Sequence, residues 1–326
     1  MKKVLGIGNA LVDIMTRLES DAMLEEFSLP KGSMQLIDEY LRLKIIQKTD
    51  NLKPQHTSGG CAANTIHGLA NLGIETGFIG KVGTDELGTF FKEDLVKANI
   101  NPHLAYSFNK TGTAIAFVSP DSERTFATYL GAAVELNANE LENVIFSKYD
   151  FFHIEGYLLQ NHELITDVAR MAKENNLKIS LDMASYNVVK ENIDYLKSLV
   201  KLYVDVVFAN EEEAKAFTGK DNPEEALEKI ANLCDTAVVK TGKKGSLIQK
   251  DCEKFVVEPI VVNAIDTTGA GDLYAAGFIY GLLNNLSLDK CGKIGSLVAG
   301  NVIQNIGAKI TAEQWVNIKK EIKDIL

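Results

Sequence analysis

A glycine-rich turn lies late in the chain: Asp266-Thr267-Thr268-Gly269-Ala270-Gly271-Asp272. An apolar run follows at once over residues 273–283, which predicts that the turn opens a helix. The start of a helix exposes backbone N–H groups at the positive end of the helix dipole, so this stretch predicts an anion site. A carboxylate at Asp272 repels an anion, but its position is explained if it accepts a proton from a group that attacks the anion. The pattern therefore indicates phosphoryl transfer.

The composition is that of a globular enzyme, with 46% hydrophobic and 24% charged residues among 326. The formal net charge of −10 disfavours nucleic acid or an anionic membrane as a partner, since both require a basic surface. The four cysteines and five histidines show no metal-ligand spacing. No stretch has the pattern of a signal peptide or a membrane span, so we expect a cytoplasmic protein with reduced thiols.

Helix and strand patterns alternate from about residue 138 onward. The amphipathic run at 161–175 is a predicted helix. Four short apolar runs are predicted to be buried strands, at residues 150–154, 177–181, 205–209 and 236–240. Continuous apolar strands separated by helices are typical of a parallel sheet that is covered on both faces. The fold class is therefore predicted to be α/β.

Two segments have a different pattern, with apolar and polar residues in alternation. They cover residues 11–37 and 104–130 and contain turns such as Ser119-Pro120-Asp121-Ser122. Alternation predicts antiparallel, half-exposed sheet. Together the two segments predict one discontinuous β lid over the carboxyl ends of the parallel strands. The remaining residues, 1–10, 38–103 and 131–326, are predicted to form the α/β core.

A second glycine-containing loop, Ser58-Gly59-Gly60-Cys61-Ala62-Ala63-Asn64, precedes a helical run at 65–72. Two glycines allow the backbone to approach a ligand closely. Asn64 offers both a donor and an acceptor, which suits neighbouring hydroxyl groups of a substrate. A loop with an ordinary Asn near a helix start is an equally good interpretation of these residues alone.

The first predicted strand is followed by Gly6-Ile7-Gly8-Asn9-Ala10-Leu11-Val12-Asp13. A dinucleotide-binding fingerprint requires a third glycine and a following helix, and both are missing here. What remains is Asp13, which we expect at the end of a strand, where it could accept bonds from substrate hydroxyls. A simple turn Asp is the alternative.

Two further strand ends carry polar residues. Asn210 and Glu213 suit the cap and first turn of a helix, but oxygen ligands at a strand end also suit Mg²⁺ that retains its waters. The run from Thr241 to Gly245, with Gly242 inside it, lies between two predicted strands. It is either a plain hairpin turn or a contact to nucleotide phosphates.

These motifs together resemble the ribokinase family, also called the PfkB carbohydrate kinases, which includes the adenosine kinases. Residues 59–64 match the family's early Gly-Gly and Asn signature, and residues 266–272 match its late signature throughout. Asn210 and Glu213 match the mid-chain Asn-x-x-Glu. The resemblance covers nearly the whole chain and implies a ribokinase-like fold, with a mainly parallel sheet between helices and a small β lid.

The resemblance also implies roles for the matching residues. It makes Asp272 the base that deprotonates a substrate hydroxyl. The anion hole for the γ-phosphoryl group is then formed by Gly269, Ala270 and Gly271. The contacts to substrate hydroxyls are Asp13, Gly59, Gly60 and Asn64.

The nucleotide and metal ions have implied positions as well. The strand end that binds ATP would include Thr241, Gly242 and Gly245. Asn210 and Glu213 would act on Mg²⁺ through water. Asp266 corresponds to a residue near a monovalent-cation site in several members, so K⁺ is a possible further cofactor.

We therefore expect an ATP-dependent kinase that phosphorylates a primary hydroxymethyl group of a small-molecule sugar or ribonucleoside, with an adenosine-like acceptor favoured. One alternative is a sugar-phosphate kinase, in which Arg17 and Arg124 of the lid would hold the second phosphate. Another is a catalytically idle sensing module, against which the complete turn and Asp272 argue.

The lid raises two further expectations. Four of its apolar residues could stack on a base, although core packing explains each one: Met15, Met34, Phe117 and Phe126. An exposed edge of the lid sheet could also pair between two subunits and form a homodimer.

Overall fold

The computed structural model describes residues 2–52, 55–121 and 123–326. Met1, Lys53, Pro54 and Ser122 lie outside the described residues, so the expected turn at 119–122 is described only in part. Among the helices of these three ranges, none combines the length and apolar character that crossing a membrane requires.

The strands are β1 (Lys3–Ile7), β2 (Leu11–Arg17), β3 (Met34–Leu36), β4 (Gln55–Gly59), β5 (Glu75–Gly83), β6 (Ile100–Ser107), β7 (Gly112–Val118), β8 (Arg124–Tyr129), β9 (Phe151–Glu155), β10 (Lys178–Asp182), β11 (Val206–Asn210), β12 (Thr236–Lys240), β13 (Ser246–Lys250) and β14 (Glu253–Val257).

The helices are α1 (Ala22–Glu26), α2 (Glu39–Thr49), α3 (Cys61–Asn71), α4 (Glu86–Lys97), α5 (His162–Glu174), α6 (Tyr186–Glu191), α7 (Ile193–Tyr203), α8 (Glu211–Thr218), α9 (Pro223–Ala231), α10 (Ala270–Leu283), α11 (Leu288–Val302) and α12 (Ala312–Ile325). Short 3-10 helices cover Asp50–Leu52, Gly131–Glu135, Ala138–Glu140, Asn143–Lys148, Gly156–Gln160 and Gly242–Lys244.

A large sheet forms the centre of the molecule, in the strand order β14-β13-β12-β11-β10-β9-β1-β5-β6. The seven strands from β12 to β6 are parallel, and the hairpin β13–β14 adds two antiparallel strands at one edge. Separate apolar clusters cover the two faces, with Phe152 in one and Phe208 in the other. The predicted α/β fold, with buried parallel strands and helices on both faces, is confirmed.

Four neighbouring parallel strands end in polar residues, and parallel strands bring their carboxyl ends to one edge of a sheet. These last residues are Glu155 of β9, Asp182 of β10, Asn210 of β11 and Lys240 of β12. Three of the four are at most partly exposed, and the strand residues before them are buried except Lys178. This edge is where charged chemistry can be placed without interrupting the core.

A small sheet has the strand order β3-β8-β7-β2-β4. It is mixed, because β2 runs parallel to β7 and β3 runs parallel to β8. The expectation of a wholly antiparallel sheet is therefore wrong. The expectation of half-exposed strands also fails for β7, all of whose residues are buried. The reason is that one face of β7 packs into the core through Phe117 and the other contacts the 3-10 helix at 131–135 through Ala114.

The strand assignments also differ from the sequence-based segments at two places. β4, at Gln55–Gly59, joins the small sheet although it lies within segment 38–103, which we assigned to the core. Its sequence, Gln-His-Thr-Ser-Gly, lacks the apolar alternation by which a strand is recognised. In the opposite direction, residues 104–107 extend β6 of the large sheet.

Candidate active site

The glycine-rich turn opens helix α10. Gly269 is its N-cap residue, with a φ of +74°, and a Cβ atom there would lie 2.5 Å from the Cβ of Ala308. The N–H of Ala270 donates to the carbonyl of Thr267 at 3.2 Å. Within the described ranges, the N–H groups of Gly269, Gly271 and Asp272 have no such acceptor. The turn therefore presents three free backbone N–H donors. The N–H of Ala270, which we expected among them, is used within the turn, and the N–H of Asp272 is free in its place.

Asp272 lies in the first turn of α10 and is half-buried. Its Oδ2 accepts a hydrogen bond of 3.0 Å from Nδ2 of Asn64, and its carbonyl accepts one of 3.1 Å from Oγ1 of Thr65. Burial raises the pKa of Asp272 to about 7, and the bond from Asn64 opposes that rise. A carboxylate with such a pKa is suited to accept a proton near neutral pH.

Asn64 lies in α3, four residues after the N-cap, and its side chain is 5% exposed. Its Nδ2 donates to Asp272, whereas its Oδ1 is buried without a hydrogen-bond partner among the described residues. Buried polar atoms in proteins are nearly always paired, so an unpaired acceptor beside a carboxylate is a place where a ligand hydroxyl can donate.

Asp13 lies in the middle of β2, and the expectation that it ends a strand is wrong. The alternation of this segment placed it in a strand, but the carboxyl end of that strand is Arg17, four residues later. Gly59 of β4 pairs within the same sheet, and a Cβ atom there would lie 2.2 Å from Oδ1 of Asp13. The glycine is therefore required for the carboxylate to lie against the backbone.

Burial raises the pKa of Asp13 to about 6, and the positive charges of Lys309 and Arg124 counteract this rise. Burial also lowers the pKa of Lys309 to about 8. Its ammonium donates to Oγ of Ser58 at 3.2 Å, so it lies beside β4. No local sequence pattern marks Lys309, because it reaches Ser58 from a loop 251 positions later.

Gly60 is the N-cap of α3, with a φ of +96° and no side chain that could cap the helix. Glu155 at the end of β9 does so instead, because its Oε2 accepts from the N–H of Ala62 at 3.0 Å. Its Oε1 accepts from Nδ2 of Asn9 at 2.9 Å. A Cβ atom at Gly8 would lie 2.4 Å from Oε2 of Glu155, which gives that glycine a packing role. No local sequence pattern marks Glu155, since its partners Ala62 and Asn9 lie 93 and 146 positions away.

Lys240 and Asp182 form an ion pair at the carboxyl edge of the large sheet, with Nζ 2.7 Å from Oδ2. Their side chains are 15% and 12% exposed. Neither residue has an expected role from the sequence, because no local pattern marks a pair that is 58 positions apart.

Asn210 and Glu213 form a capping box at the start of α8. The N–H of Glu213 donates to Oδ1 of Asn210 at 2.9 Å, and Oε2 of Glu213 accepts from the N–H of Asn210 at 2.8 Å. Glu213 is 2% exposed, and burial, followed by the charge of Asp182, raises its pKa. The interpretation of Asn210 and Glu213 as a helix cap is therefore confirmed. A contact from either residue to a metal would have to use oxygen lone pairs that accept no hydrogen bond in the cap.

Thr241, Gly242 and Gly245 lie in the turn between β12 and β13. The N–H of Thr241 donates to the carbonyl of Gly245 at 2.8 Å, which closes the hairpin. Gly245 has a φ of +92°, and a Cβ there would lie 1.9 Å from the carbonyl oxygen of Val257. Gly242, with a φ of +55°, has nothing within 4 Å of a Cβ position. The backbone at Gly242 is thus open to a ligand, whereas Gly245 has a structural explanation.

Asp266 is bound by the small sheet. Its Oδ2 lies 2.8 Å from Nη1 of Arg124 and accepts from the N–H of Gly307 at 2.6 Å. Its Oδ1 accepts from the N–H and the hydroxyl of Thr268 at 3.1 and 2.8 Å. The side chains of Arg124 and Asp266 are 10% and 4% exposed. The guanidinium thus neutralises the carboxylate that the family resemblance placed near a monovalent-cation site.

In the described part of the chain, no group of three or more His, Cys, Asp or Glu side chains has the arrangement of a metal site. The candidate site is built from backbone donors, ion pairs and the half-buried carboxylates of Asp13 and Asp272.

Similar proteins show which family has this fold and this arrangement of motifs. Residues 34–315 match the model of the pfkB family carbohydrate kinases. A solved structure of a probable sugar kinase from Rhizobium etli is 34% identical and superposes with a TM-score of 0.89, covering 100% of this chain and 99% of the other. An adenosine kinase structure from Sinorhizobium meliloti is 33% identical with a TM-score of 0.89, covering 98% and 99%.

A curated relative, adenosine kinase 2 of Arabidopsis thaliana, is 25% identical over 328 residues, which cover 93% of this chain and 94% of the relative. The small sheet, the glycine-rich turn at α10 and the matched range thus agree with one another. The chain belongs to the pfkB family of carbohydrate kinases.

Proposed function

We propose that this protein is an ATP-dependent kinase that transfers the γ-phosphoryl group to a primary hydroxymethyl group, with Asp272 as the base. The observation that supports this most directly is the placement of Asp272 among the free N–H groups at the start of α10. A base and an anion-binding turn within one helical turn can serve an attacking hydroxyl and the phosphoryl group at the same time.

The chemistry follows from this placement. The acceptor oxygen attacks phosphorus in line, its proton passes to a carboxylate oxygen of Asp272, and the bond to the ADP oxygen breaks. The N–H groups of Gly269, Gly271 and Asp272 bind the phosphoryl oxygens and need no reorganisation as charge develops on them. Because the pKa of Asp272 is about 7, the base is half ionised at neutral pH.

The acceptor would bind between the small sheet and α3. We propose that Asp13 and the unpaired Oδ1 of Asn64 accept bonds from its hydroxyl groups, while Gly59 and Gly60 allow close approach of the backbone. A carboxylate oxygen and an amide oxygen can together accept from a pair of neighbouring hydroxyls, as in a ribose. The small sheet would act as the lid that excludes water from this space.

A ribonucleoside acceptor is favoured by the apolar side chains on one face of the small sheet. Met15, Ala116 and Phe126 lie in one cross-strand row, because Met15 pairs with Ala116 and Ala116 with Phe126. Met34 continues that row beside Phe126 and is 46% exposed. Phe117 lies on the opposite face and is fully buried, so it has no access to a ligand.

The Met15 side chain lies close to the glycine-rich turn. Its Cε is 3.4 Å from the Cβ position of Gly307, whose N–H donates to Asp266. An aromatic base would find apolar contact along this row, and adenosine is the acceptor that we favour. The adenosine kinases of Sinorhizobium meliloti and Arabidopsis thaliana named above are consistent with this choice.

ATP would bind with its phosphates between the glycine-rich turn and the open backbone at Thr241 and Gly242. Gly245 would stabilise that turn through the hydrogen bond that its carbonyl accepts from the N–H of Thr241. Mg²⁺ arriving with ATP would neutralise phosphate charge. The lone pairs of Asn210 and Glu213 that the capping box leaves unused would accept hydrogen bonds from its waters.

A sugar-phosphate acceptor is disfavoured. Arg124, one of the two arginines that could bind a second phosphate, is held by Asp266. Arg17 at the end of β2 is exposed and would have to bind the phosphate alone. The same ion pair explains Asp266 without a monovalent cation, so we assign Asp266 a structural role.

A homodimer through the small sheet is a further proposal. β3 is an edge strand, and Leu36 within it is 57% exposed. On the neighbouring helix α2, Tyr40 is 67% and Leu43 is 52% exposed. Leu36→Lys should convert a dimer into a monomer in light scattering after gel filtration; a wild-type protein that is monomeric throughout would end this proposal.

The test of the function is ADP release with ATP and Mg²⁺ across a panel of ribose, fructose, adenosine, inosine, guanosine and fructose phosphates. We expect turnover with a ribonucleoside and the highest kcat/KM for adenosine. Turnover confined to fructose phosphates would favour the sugar-phosphate kinase. Silence across the whole panel would favour a sensing module.

A further inference from the structure

Lys240 is a buried cation next to the turn that opens α10. It is the last residue of β12 and pairs in register with Asn210, the last residue of β11. A Cβ atom placed on Gly271 would lie 3.0 Å from Nζ of Lys240 and 3.9 Å from its Cε. Outside its own helix, no other described residue has an atom within 4 Å of it. Because Gly271 has no side chain, the ammonium of Lys240 lies next to the backbone of Gly271, whose N–H has no acceptor among the described residues.

The charge of this ammonium is maintained by its surroundings. Burial alone would lower the pKa of Lys240, but the carboxylates of Asp182, Glu213 and Asp272 outweigh that effect and raise it above its ordinary value. A positive charge that is stabilised in this way persists across the pH range in which an enzyme works.

The hydrogen bonds of the ammonium are incomplete. An ammonium has three N–H donors, and Asp182 accepts from one of them at 2.7 Å. No other acceptor for Nζ exists in the described part of the chain. Two donors therefore remain for an anion bound at the turn, where the neighbouring free N–H groups belong to Gly271 and Asp272.

We propose that Lys240 is a further catalytic residue, whose ammonium binds an oxygen of the transferring phosphoryl group beside the N–H of Gly271. This inference rests on the proposed kinase function. During the reaction the bond between the acceptor oxygen and phosphorus forms, the bond to the ADP oxygen breaks with its electron pair going to ADP, and the hydroxyl proton passes to Asp272. Lys240 keeps its proton throughout and stabilises the charge on the phosphoryl oxygens.

Lys240 could instead serve only to neutralise Asp182. A phosphoryl contact and a purely structural ion pair predict different effects on kcat when Lys240 or Asp182 is replaced. If Lys240 binds the phosphoryl group, Lys240→Met lowers kcat on the order of 10²-fold, whereas Asp182→Asn, which keeps the ammonium, lowers it far less. If the pair is purely structural, the two substitutions lower kcat to the same extent, and that result would overturn the inference.

Lys240→Met leaves Asp182 as an unpaired buried charge and can unfold the protein for that reason alone. The double variant Asp182→Asn with Lys240→Met removes both charges together. We expect it to fold, as checked by thermal unfolding, and to retain the low kcat of the lysine variant. Recovery of wild-type kcat in this double variant would contradict a phosphoryl contact. Lys201→Met, at an exposed position in α7, is the matched control for losing a lysine.

Nucleotide binding gives a readout that needs no acceptor. The double variant should bind the β,γ-imido analogue of ATP on the order of tenfold more weakly than the wild type, with unchanged affinity for ADP, because only the former carries the third phosphate. Equal losses for both nucleotides would overturn the inference. If the double variant shows this selective loss but the wild type turns over no acceptor in the panel, Lys240 stands as a γ-phosphate contact and the kinase proposal falls.

Discussion

The amide Nδ2 of Asn64 donates to Oδ2 of Asp272 over 3.0 Å, although the two residues are 208 positions apart in the sequence. This bond joins helix α3 to helix α10 at their first turns. It also connects the two glycine-containing loops, so the residues expected to bind the acceptor lie next to those expected to bind the phosphoryl group.

Removal of the Asn64 amide should shift the pH dependence of turnover. The bond from Asn64 lowers the pKa of Asp272, opposing the larger effect of burial. In Asn64→Ala the pKa of Asp272 should rise, so the acidic limb of the kcat/KM profile should move to higher pH. A profile that keeps its wild-type midpoint would show that Asp272 is not the group that titrates.

The ion pair between Arg124 and Asp266 should stabilise the contact between the small sheet and the glycine-rich turn. Arg124→Met leaves Asp266 buried and unpaired, which costs about 3–5 kcal/mol of unfolding free energy. Arg124→Met combined with Asp266→Asn should be less damaging than either charge removal alone. Urea unfolding of the single and double variants measures this, and strictly additive losses would refute the coupling.

The same pair predicts the response to potassium. Because a guanidinium already neutralises Asp266, turnover should be equal in potassium chloride and in choline chloride of the same ionic strength. A strong and saturable activation by K⁺ would show that Arg124 leaves this carboxylate during the reaction.

Glu155 should be needed for stability, since it satisfies three N–H groups inside the molecule. Glu155→Ala leaves the donors of Ala62 and Asn9 unpaired and should cost about 1–3 kcal/mol. Glu155→Gln retains an acceptor oxygen and should cost less. Equal losses of unfolding free energy for these two variants, measured by chemical denaturation, would show that the hydrogen bonds to Glu155 do not contribute to stability.

Folding stability should report the raised pKa of Asp272. Its folded pKa of about 7 exceeds the ordinary 3.8, so the folded state binds this proton more tightly than the unfolded chain. The stabilising contribution is complete below pH 3.8 and is lost as the pH rises through 7. Asp272→Asn should therefore gain thermal stability relative to the wild type between pH 5 and pH 8. A constant difference in Tm over this range would contradict the raised pKa.

Local patterns were sufficient to predict the main features of the fold. The apolar runs at 150–154, 177–181, 205–209 and 236–240 are strands of one sheet, and the amphipathic run at 161–175 is helix α5, in each case within a residue or two. Continuous burial and helical periodicity are properties of neighbouring residues, which a sequence shows directly.

The predictions that failed depend on contacts between distant segments. β4 is short and polar, and it is a strand because Thr57 and its neighbours pair with β2. Glu155 and Lys309 reach the site from strands and loops that no local pattern connects. The glycine-rich turn was predicted as a helix start, but only the structure distinguishes the N–H of Ala270, which is used within the turn, from that of Asp272.

The most direct test of the account is the turnover number of Asp272→Asn with the acceptor that the wild type phosphorylates best. Asparagine retains the shape and the contact to Asn64 but cannot take the proton. We expect the variant to fold and to bind ATP as the wild type does, with kcat reduced on the order of 10²–10⁴-fold. A kcat near that of the wild type would contradict the assignment of Asp272 as the base.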